Sequence, residues 1–243
     1  MALKGKWSDL HRSRFSELPA DCGNRPAESS DPVLRDWSQK WTTPDQLRIE
    51  RYIDQFDLSA KRILHIGIGN SGLARRFHDH VGEIVGTSLD EPELRLARSL
   101  SYSNYHAVLH NKYSGAMDEV TGRFDFIVEN NPTSACCCLH HLAELFRFLE
   151  LKLAEGGQIV TDRAGLAWIP EDANPRWSFD FDDLQAVGSV AGLKVSRINR
   201  NTYVLSRGVP AKPAFRGRLR ALLRTAGRIA IRARQSVYRR VRA

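Results

Sequence analysis

The sequence predicts an α/β fold: a mostly parallel seven-stranded sheet with helices on both faces and an antiparallel hairpin at its C-terminal end. Three observations predict it. Short apolar runs alternate with helical periodicities from residue 62 to residue 161, and such alternation requires helical crossovers between parallel strands. A glycine-rich turn, Gly67-Ile68-Gly69-Asn70-Ser71-Gly72, separates the first of these strands from its helix. Two final strand-like runs, residues 193–198 and 202–206, are separated only by Asn199-Arg200-Asn201. Three polar residues are too few for a helical crossover, so these runs pair antiparallel.

The elements follow in order. Residues 1–34 are polar and contain Pro19, Gly23, Pro26 and Pro32, which predicts an irregular N-terminal segment. Residues 35–207 form the predicted main domain. Trp37 and Trp41 stand one helical turn apart, and Thr43-Pro44-Asp45-Gln46 is a helix-start signature with Pro at the first helical position. Leu47, Ile49, Tyr52, Ile53 and Phe56 give that helix a buried stripe. Strands are predicted at 63–66, 83–87, 105–109, 124–128 and 158–161. Helices are predicted at 73–80, at about 91–100, and from Leu139 through Leu142, Phe146, Leu149 and Leu153, where apolar residues recur every three or four positions. Gly156-Gly157 is the predicted end of the last of these.

Composition narrows the class. The 243 residues are 42% hydrophobic, enough for one large α/β domain with its own core. The net charge of +8 is unevenly placed: residues 208–243 hold eleven Lys and Arg and no acid, leaving the body at −3. A uniformly basic nucleic-acid surface is therefore not expected. The four cysteines are Cys22, Cys136, Cys137 and Cys138. Neighbouring cysteines are poorly placed to bridge one another, and one distant Cys builds no disulfide framework, so a reducing cytoplasm is expected. Three adjacent cysteines also lack the spacing of a zinc site; no metal is expected, and they read as small apolar groups packing at a helix start. No apolar run nears the roughly 18 residues that span a bilayer, and the charged N-terminus has no apolar core of a secretory signal.

Gly67-x-Gly69-x-x-Gly72, opening a helix after a strand, permits a tight turn and lets a ligand approach main-chain amides closely. With the order of elements around it, the sequence resembles the class I S-adenosylmethionine-dependent methyltransferases over roughly residues 45–207. Residues 62–77 resemble their first motif, 84–97 their second strand and helix, 124–130 their fourth strand, and Leu151-Lys-Leu-Ala-Glu-Gly-Gly-Gln-Ile-Val their helix and fifth strand; the terminal hairpin matches as well. The resemblance implies a Rossmann-like sheet that binds S-adenosyl-L-methionine. It places His65, Gly67, Gly69, Asn70 and Gly72 against that cofactor, and Ser88, Leu89 and Asp90 at its ribose. Two positions depart from the family. His65 stands where an acid usually ends the first strand, and Ser88 stands where an Asp or Glu usually takes the ribose hydroxyls. A serine binds one hydroxyl without a charge, so Asp90 has to bend back or affinity falls. By motif position Asn111 lies near the adenine, though a plain turn after the third strand explains it equally. Glu129 and Asn130 face the transferred methyl, or form a polar turn ahead of Pro132.

Methyl transfer asks chiefly for alignment, worth roughly 7–11 kcal/mol, and a hydroxyl acceptor also asks for a base. His140 and Asp162 are the two candidates. On a helical wheel His141 points to solvent, and His140 lies between the faces. In the tail, Leu219, Leu222, Leu223, Ala226, Ile229, Ala230, Ala233, Val237 and Val241 share one helical face opposite most of the arginines. That pattern suits an amphipathic helix spanning 214–243 on an anionic membrane, or one packed on the domain. The layout is similar to bacterial O-methyltransferases that modify sugars of glycans or lipo-oligosaccharides, including nodulation signals. A small-molecule or glycolipid acceptor and a cytoplasmic enzyme peripheral to the inner membrane face are the corresponding expectations. An NAD(P)-dependent oxidoreductase, a non-catalytic module on the same fold and an RNA methyltransferase are the alternatives.

Overall fold

The computed structural model describes residues 7, 10, 15–23, 36–114, 118–171 and 173–212. The tail read as a basic helix lies, from residue 213 onward, outside the described residues. Along the chain run α1 (Pro44–Ile53), β1 (Arg62–Ile66), α2 (Gly72–Phe77), β2 (Glu83–Ser88), α3 (Glu91–Ser99), β3 (Tyr105–Leu109) and β4 (Phe124–Glu129). These are followed by α4 (Leu139–Lys152), β5 (Leu153–Asp162), α5 (Arg163–Ala167), a 3₁₀ turn (Pro175–Trp177), α6 (Phe181–Val190), β6 (Lys194–Arg197) and β7 (Thr202–Ser206). None of the described helices is long and apolar enough to cross a membrane.

The seven strands form one sheet in the order β3-β2-β1-β4-β5-β7-β6. Strands β3, β2, β1, β4 and β5 pair in parallel, and β7 runs antiparallel between β5 and β6. The hairpin read from the Asn-Arg-Asn connection is thus present, but β7 inserts between β5 and β6 instead of continuing outward. A one-dimensional reading of turn length fixes antiparallel pairing and says nothing about which hairpin strand lies inside.

Each face of the sheet carries a core. One contains Leu64, Ile127, Leu142, Phe146, Leu149 and Leu184, and the other Ile49, Ile53, Ile63, Leu73, Phe77, Ile84 and Leu94. Alternate residues of β1 thus feed opposite cores, Ile63 one and Leu64 the other, as period-two geometry demands. The lead-in is not loose where it is described: Phe15 and Leu18 are buried, and Phe15 packs against Phe179 with ring centroids 5.3 Å apart. Two apolar residues among prolines carry no periodicity, so their burial was invisible in sequence. Trp37 and Trp41 bracket a turn closed by Lys40 N–H donating to Trp37 O, not a helical turn.

The end of α4 also differs from expectation. The helix stops at Lys152, and β5 begins at once at Leu153, upstream of Gly156-Gly157. The glycines instead serve a register shift between Phe124 and Phe126 of β4. Gly156 has φ +68°, and a Cβ on Gly157 would lie 2.8 Å from Phe124 O. Helix α1 is fixed over the sheet by two links to β5. Tyr52 Oη donates to Gln158 Oε1 at 2.6 Å, and Arg48 holds Asp162 with two hydrogen bonds of 2.8 and 2.7 Å.

Candidate active site

The carboxyl ends of β1 to β4 open into a single cavity of about 1510 Å³, where ligands bind in open parallel sheets. Pockets for one small ligand run about 300–1,000 Å³, so this one has room for a nucleoside and a second molecule. Among its described lining residues are five carboxylates, Asp45, Asp90, Glu93, Glu129 and Glu171, against one lysine, Lys112. A cavity so charged favours a cation.

The glycine turn forms one wall. Gly67, Gly69 and Ser71 all have left-handed backbones, with φ of +72°, +50° and +55°. A Cβ on Gly67 would meet nothing, so the surface above it is open. Gly72 has another duty: a Cβ there would fall 2.3 Å from Thr42 Oγ1, so this glycine admits the 36–43 turn. The amides of the turn are occupied from within. Gly67 and Ile68 N–H donate to Thr87 O, Ser71 N–H to Ile68 O, and Gly72 N–H to Asn70 Oδ1. Gly69 N–H donates to Glu93 Oε2 at 3.2 Å. The expected cradle of amides is corrected accordingly: most of the loop offers open surface, not free donors.

Glu93, in the first turn of α3, was missed by sequence reasoning. Its carboxylate also accepts from Ser88 Oγ at 2.7 Å and from Trp37 N–H at 3.2 Å. Ser88 in turn accepts from Asp90 N–H at 2.9 Å. An acid therefore does reach the carboxyl end of β2, brought five residues along the chain by the helix that starts at Glu91. The signal was an acid in the first helical turn, but first-turn acids commonly serve the helix dipole, which masks this second use. Asp90 lines the cavity with Oδ2 buried and without a hydrogen-bond partner. Burial raises the carboxyls of Asp90 and Glu93, opposed in Glu93 by the Ser88 hydroxyl.

At the end of β4, Glu129 Oε1 takes Lys112 Nζ at 3.1 Å and Asn131 N–H at 3.0 Å, while Oε2 is buried and unpartnered. Burial raises this carboxyl too, and Lys112 partly offsets the shift. Asn130 Nδ2 donates to Asp45, and its Oδ1 is likewise without a partner. His65 is buried at the wall, and desolvation pushes its imidazole down to about 4, so it is neutral near pH 7. Leu89 and Asn111 line the cavity, Asn111 also forming a turn through Oδ1 to Tyr113 N–H. All eleven residues expected at the cofactor thus converge on one cavity.

The two expected bases do not. His140 is exposed and outside the lining, while His141 is buried and within it, the reverse of the helical-wheel reading. The wheel failed because the start of α4 is covered by the lead-in: Leu139 N–H donates to Pro19 O and His140 N–H to Ala20 O. Asp162 is fully buried, held by Arg48, and caps α5 through Ala164 N–H. The cysteines also depart from expectation. Cys136 and Cys138 are buried as predicted, but Cys137 is exposed, and the fold brings Cys22 and His141 to it.

No protein-family model matches the chain, and no curated protein matches it in sequence. Solved structures do. The CcbJ methyltransferase from Streptomyces caelestis superposes with a TM-score of 0.54 at 17% identity, covering 72% of this chain and 96% of its own. CalS10, an amino pentose methyltransferase from Micromonospora echinaspora, gives 0.52 at 14%, covering 72% and 92%. The fold is that of S-adenosylmethionine-dependent methyltransferases. A TehB-like methyltransferase from Corynebacterium glutamicum gives 0.50 at 15%, covering 65% and 84%.

Proposed function

We propose that the protein transfers the methyl group of S-adenosyl-L-methionine to a sugar hydroxyl. The observation that carries the cofactor is the pairing of an open glycine surface at Gly67 with unpartnered buried carboxylate oxygens on Asp90 and Glu129. In this reading Glu129 Oε2 accepts from the α-ammonium group, and Ser88 and Asp90 meet the ribose. Asn111 faces the adenine. The bound cofactor supplies the methyl group and a neutral thioether leaving group. A dinucleotide fits worse, since a pyrophosphate at α2 needs free amides and would instead face the Glu93 carboxylate on Gly69.

A cationic ligand also gives the cavity a pH signature. Burial holds Glu93 and Glu129 above the ordinary 4.5, so in weakly acidic solution the free protein keeps protons that a cation expels. Because these groups are raised, they contribute stability below their unfolded values, lost as pH rises through the folded ones. Ligand affinity should move oppositely and increase with pH across that window. Calorimetric titration with S-adenosylhomocysteine in two buffers of different ionisation enthalpy should register proton release; proton uptake would remove these carboxylates from the site.

The acceptor reading rests on Trp37, Trp41 and Trp168, which line the same cavity with 38%, 93% and 43% of their surface exposed. Indole faces standing in water at a cavity mouth suit the apolar face of a sugar ring. The amino pentose named for CalS10 supports the same class. The eleven basic residues of 208–243 suit a lipid-linked glycan at an anionic membrane on the cytoplasmic side. Labelled-methyl transfer to free and lipid-linked oligosaccharides tests this. Trp41→Ala and Trp168→Ala should raise acceptor KM roughly 5- to 30-fold, as for about 1–2 kcal/mol of lost contact, with cofactor affinity unchanged. Label transferred only to protein or RNA would sink the sugar reading.

A further inference from the structure

Beside the cavity, three segments distant in sequence bring four soft or borderline donor atoms to one point. His141 Nδ1 lies 3.0 Å from Cys137 Sγ, 3.3 Å from Cys138 Sγ and 3.5 Å from Cys22 Sγ. Cys137 Sγ lies 3.3 Å from Cys22 Sγ, and all four atoms fall within 4.8 Å of one another. We propose that Cys22, Cys137, Cys138 and His141 bind a zinc ion that fastens the N-terminal lead-in to the start of α4.

Hydrogen bonding does not account for the cluster. A neutral imidazole nitrogen accepts one hydrogen bond or donates one, yet three sulfurs crowd this one. A shared cation satisfies all four at once. Tetrahedral zinc with Zn–S near 2.3 Å and Zn–N about 2.0–2.1 Å has ligand–ligand edges of roughly 3.5–3.8 Å, so the donors need to move by only about half an ångström. Three thiolates and one imidazole are a donor set zinc favours. Cys137 and Cys138 immediately precede α4, and His141 stands in that helix's first turn, so three of the four donors come from one short stretch of chain. A disulfide between Cys22 and Cys137 would need the sulfurs at about 2.05 Å, and it would leave Cys138 and His141 without a purpose.

Four protein ligands close the coordination sphere, which marks a structural site. Cys22 belongs to the segment that already meets α4 through Pro19 O and Ala20 O. The ion would convert those two backbone bonds into a fixed wall, and because Cys137 and His141 also line the cavity, it would keep His141 from acting as a proton acceptor. The spacing that hid the site from sequence reading is the vicinal pair, whose partner Cys lies more than a hundred residues away.

Elemental analysis of protein purified without chelator should find a single zinc per chain. Cobalt(II) substitution should produce the intense visible bands of a tetrahedral site and a sulfur-to-cobalt charge-transfer band. Cys137→Ser and Cys22→Ser should each lower zinc retention at least about tenfold. Cys136→Ser removes a thiol outside the cluster and should retain zinc in full. Metal-free wild-type protein with no cobalt spectrum would overturn the proposal. So would a Cys22–Cys137 disulfide in the isolated chain, an iron–sulfur chromophore, or zinc lost equally from Cys136→Ser. Cys22→Ser alters only the lead-in, so it remains informative if Cys137→Ser fails to fold.

Discussion

Gly67→Val should weaken affinity for S-adenosylhomocysteine by roughly 5- to 150-fold while leaving the protein folded. Gly67 has φ +72° and nothing within 4 Å of where a Cβ would stand. The valine side chain would therefore project into the cavity at the place assigned to the nucleoside. Forcing atoms into a filled site costs about 1–3 kcal/mol, or roughly 5- to 150-fold in affinity. The left-handed backbone adds about 1–2 kcal/mol of strain in the folded state, which would by itself lower stability without touching the ligand. Gly156 separates the two effects. It has φ +68°, meets nothing within 4 Å, and lies outside the cavity lining. Gly156→Val should lose comparable stability in urea unfolding and bind the ligand as the parent does. Equal loss of binding in the two variants, or near-normal binding by Gly67→Val, would mean that the cofactor does not rest on this turn.

The sheet was legible because its information is local. Five parallel strands are each a short apolar run with a helix or turn between, and both cores draw on alternate residues of the same runs, as with Ile63 and Leu64 of β1. What the sequence could not reveal is non-local. The insertion of β7 between β5 and β6 depends on which strand best covers β5, and neither strand's composition states it. The α4–β5 junction misled for a related reason. Gly156-Gly157 has the composition of a helix end, but it serves a close approach to Phe124 O across the sheet.

The cavity wall proposed for the cofactor was legible for the same reason as the sheet, since it is made from the ends of the parallel strands. Ser88 and Glu129 end their strands, and Gly67 and Asn111 closely follow theirs, so all four come to one edge. Glu93 escaped because its side chain works five residues from the strand end it serves. The wall at the start of α4 escaped more completely. His140 and His141 exchanged roles because a segment 120 residues earlier covers one side of α4, as Cys22 Sγ beside His141 Nδ1 attests across a separation of 119 residues. Helical phase gives relative directions; which direction is inside depends on what arrives later to cover it.

Arg48→Met should be the most destabilising single change among the polar residues around the cavity, and its rescue would show what Asp162 does. The Asp162 side chain is fully buried at the end of β5, and Arg48, 29% exposed, is its cationic partner. Removing one member of such a pair leaves a buried charge uncompensated, which typically costs about 3–5 kcal/mol; the partial exposure of Arg48 places the expectation nearer 3 than 5. Methionine keeps the aliphatic length, so lost packing is a small part of the effect. Asp162→Asn removes the charge yet retains an oxygen for Ala164 N–H. The Arg48→Met/Asp162→Asn double variant should therefore regain most of the stability lost by Arg48→Met alone. A double-mutant cycle in urea should give a coupling of roughly 1–3 kcal/mol. The same double variant decides between structure and catalysis for this carboxylate. A structural Asp162 predicts methyl transfer within a few-fold of the parent once the fold is restored. A carboxylate that takes the acceptor's proton predicts restored stability with turnover depressed by about 100-fold or more, cofactor affinity being unchanged. The Arg48 contacts, and the absence of Asp162 from the cavity lining, favour the first outcome: α1 is held over the sheet by an ion pair whose role ends with positioning.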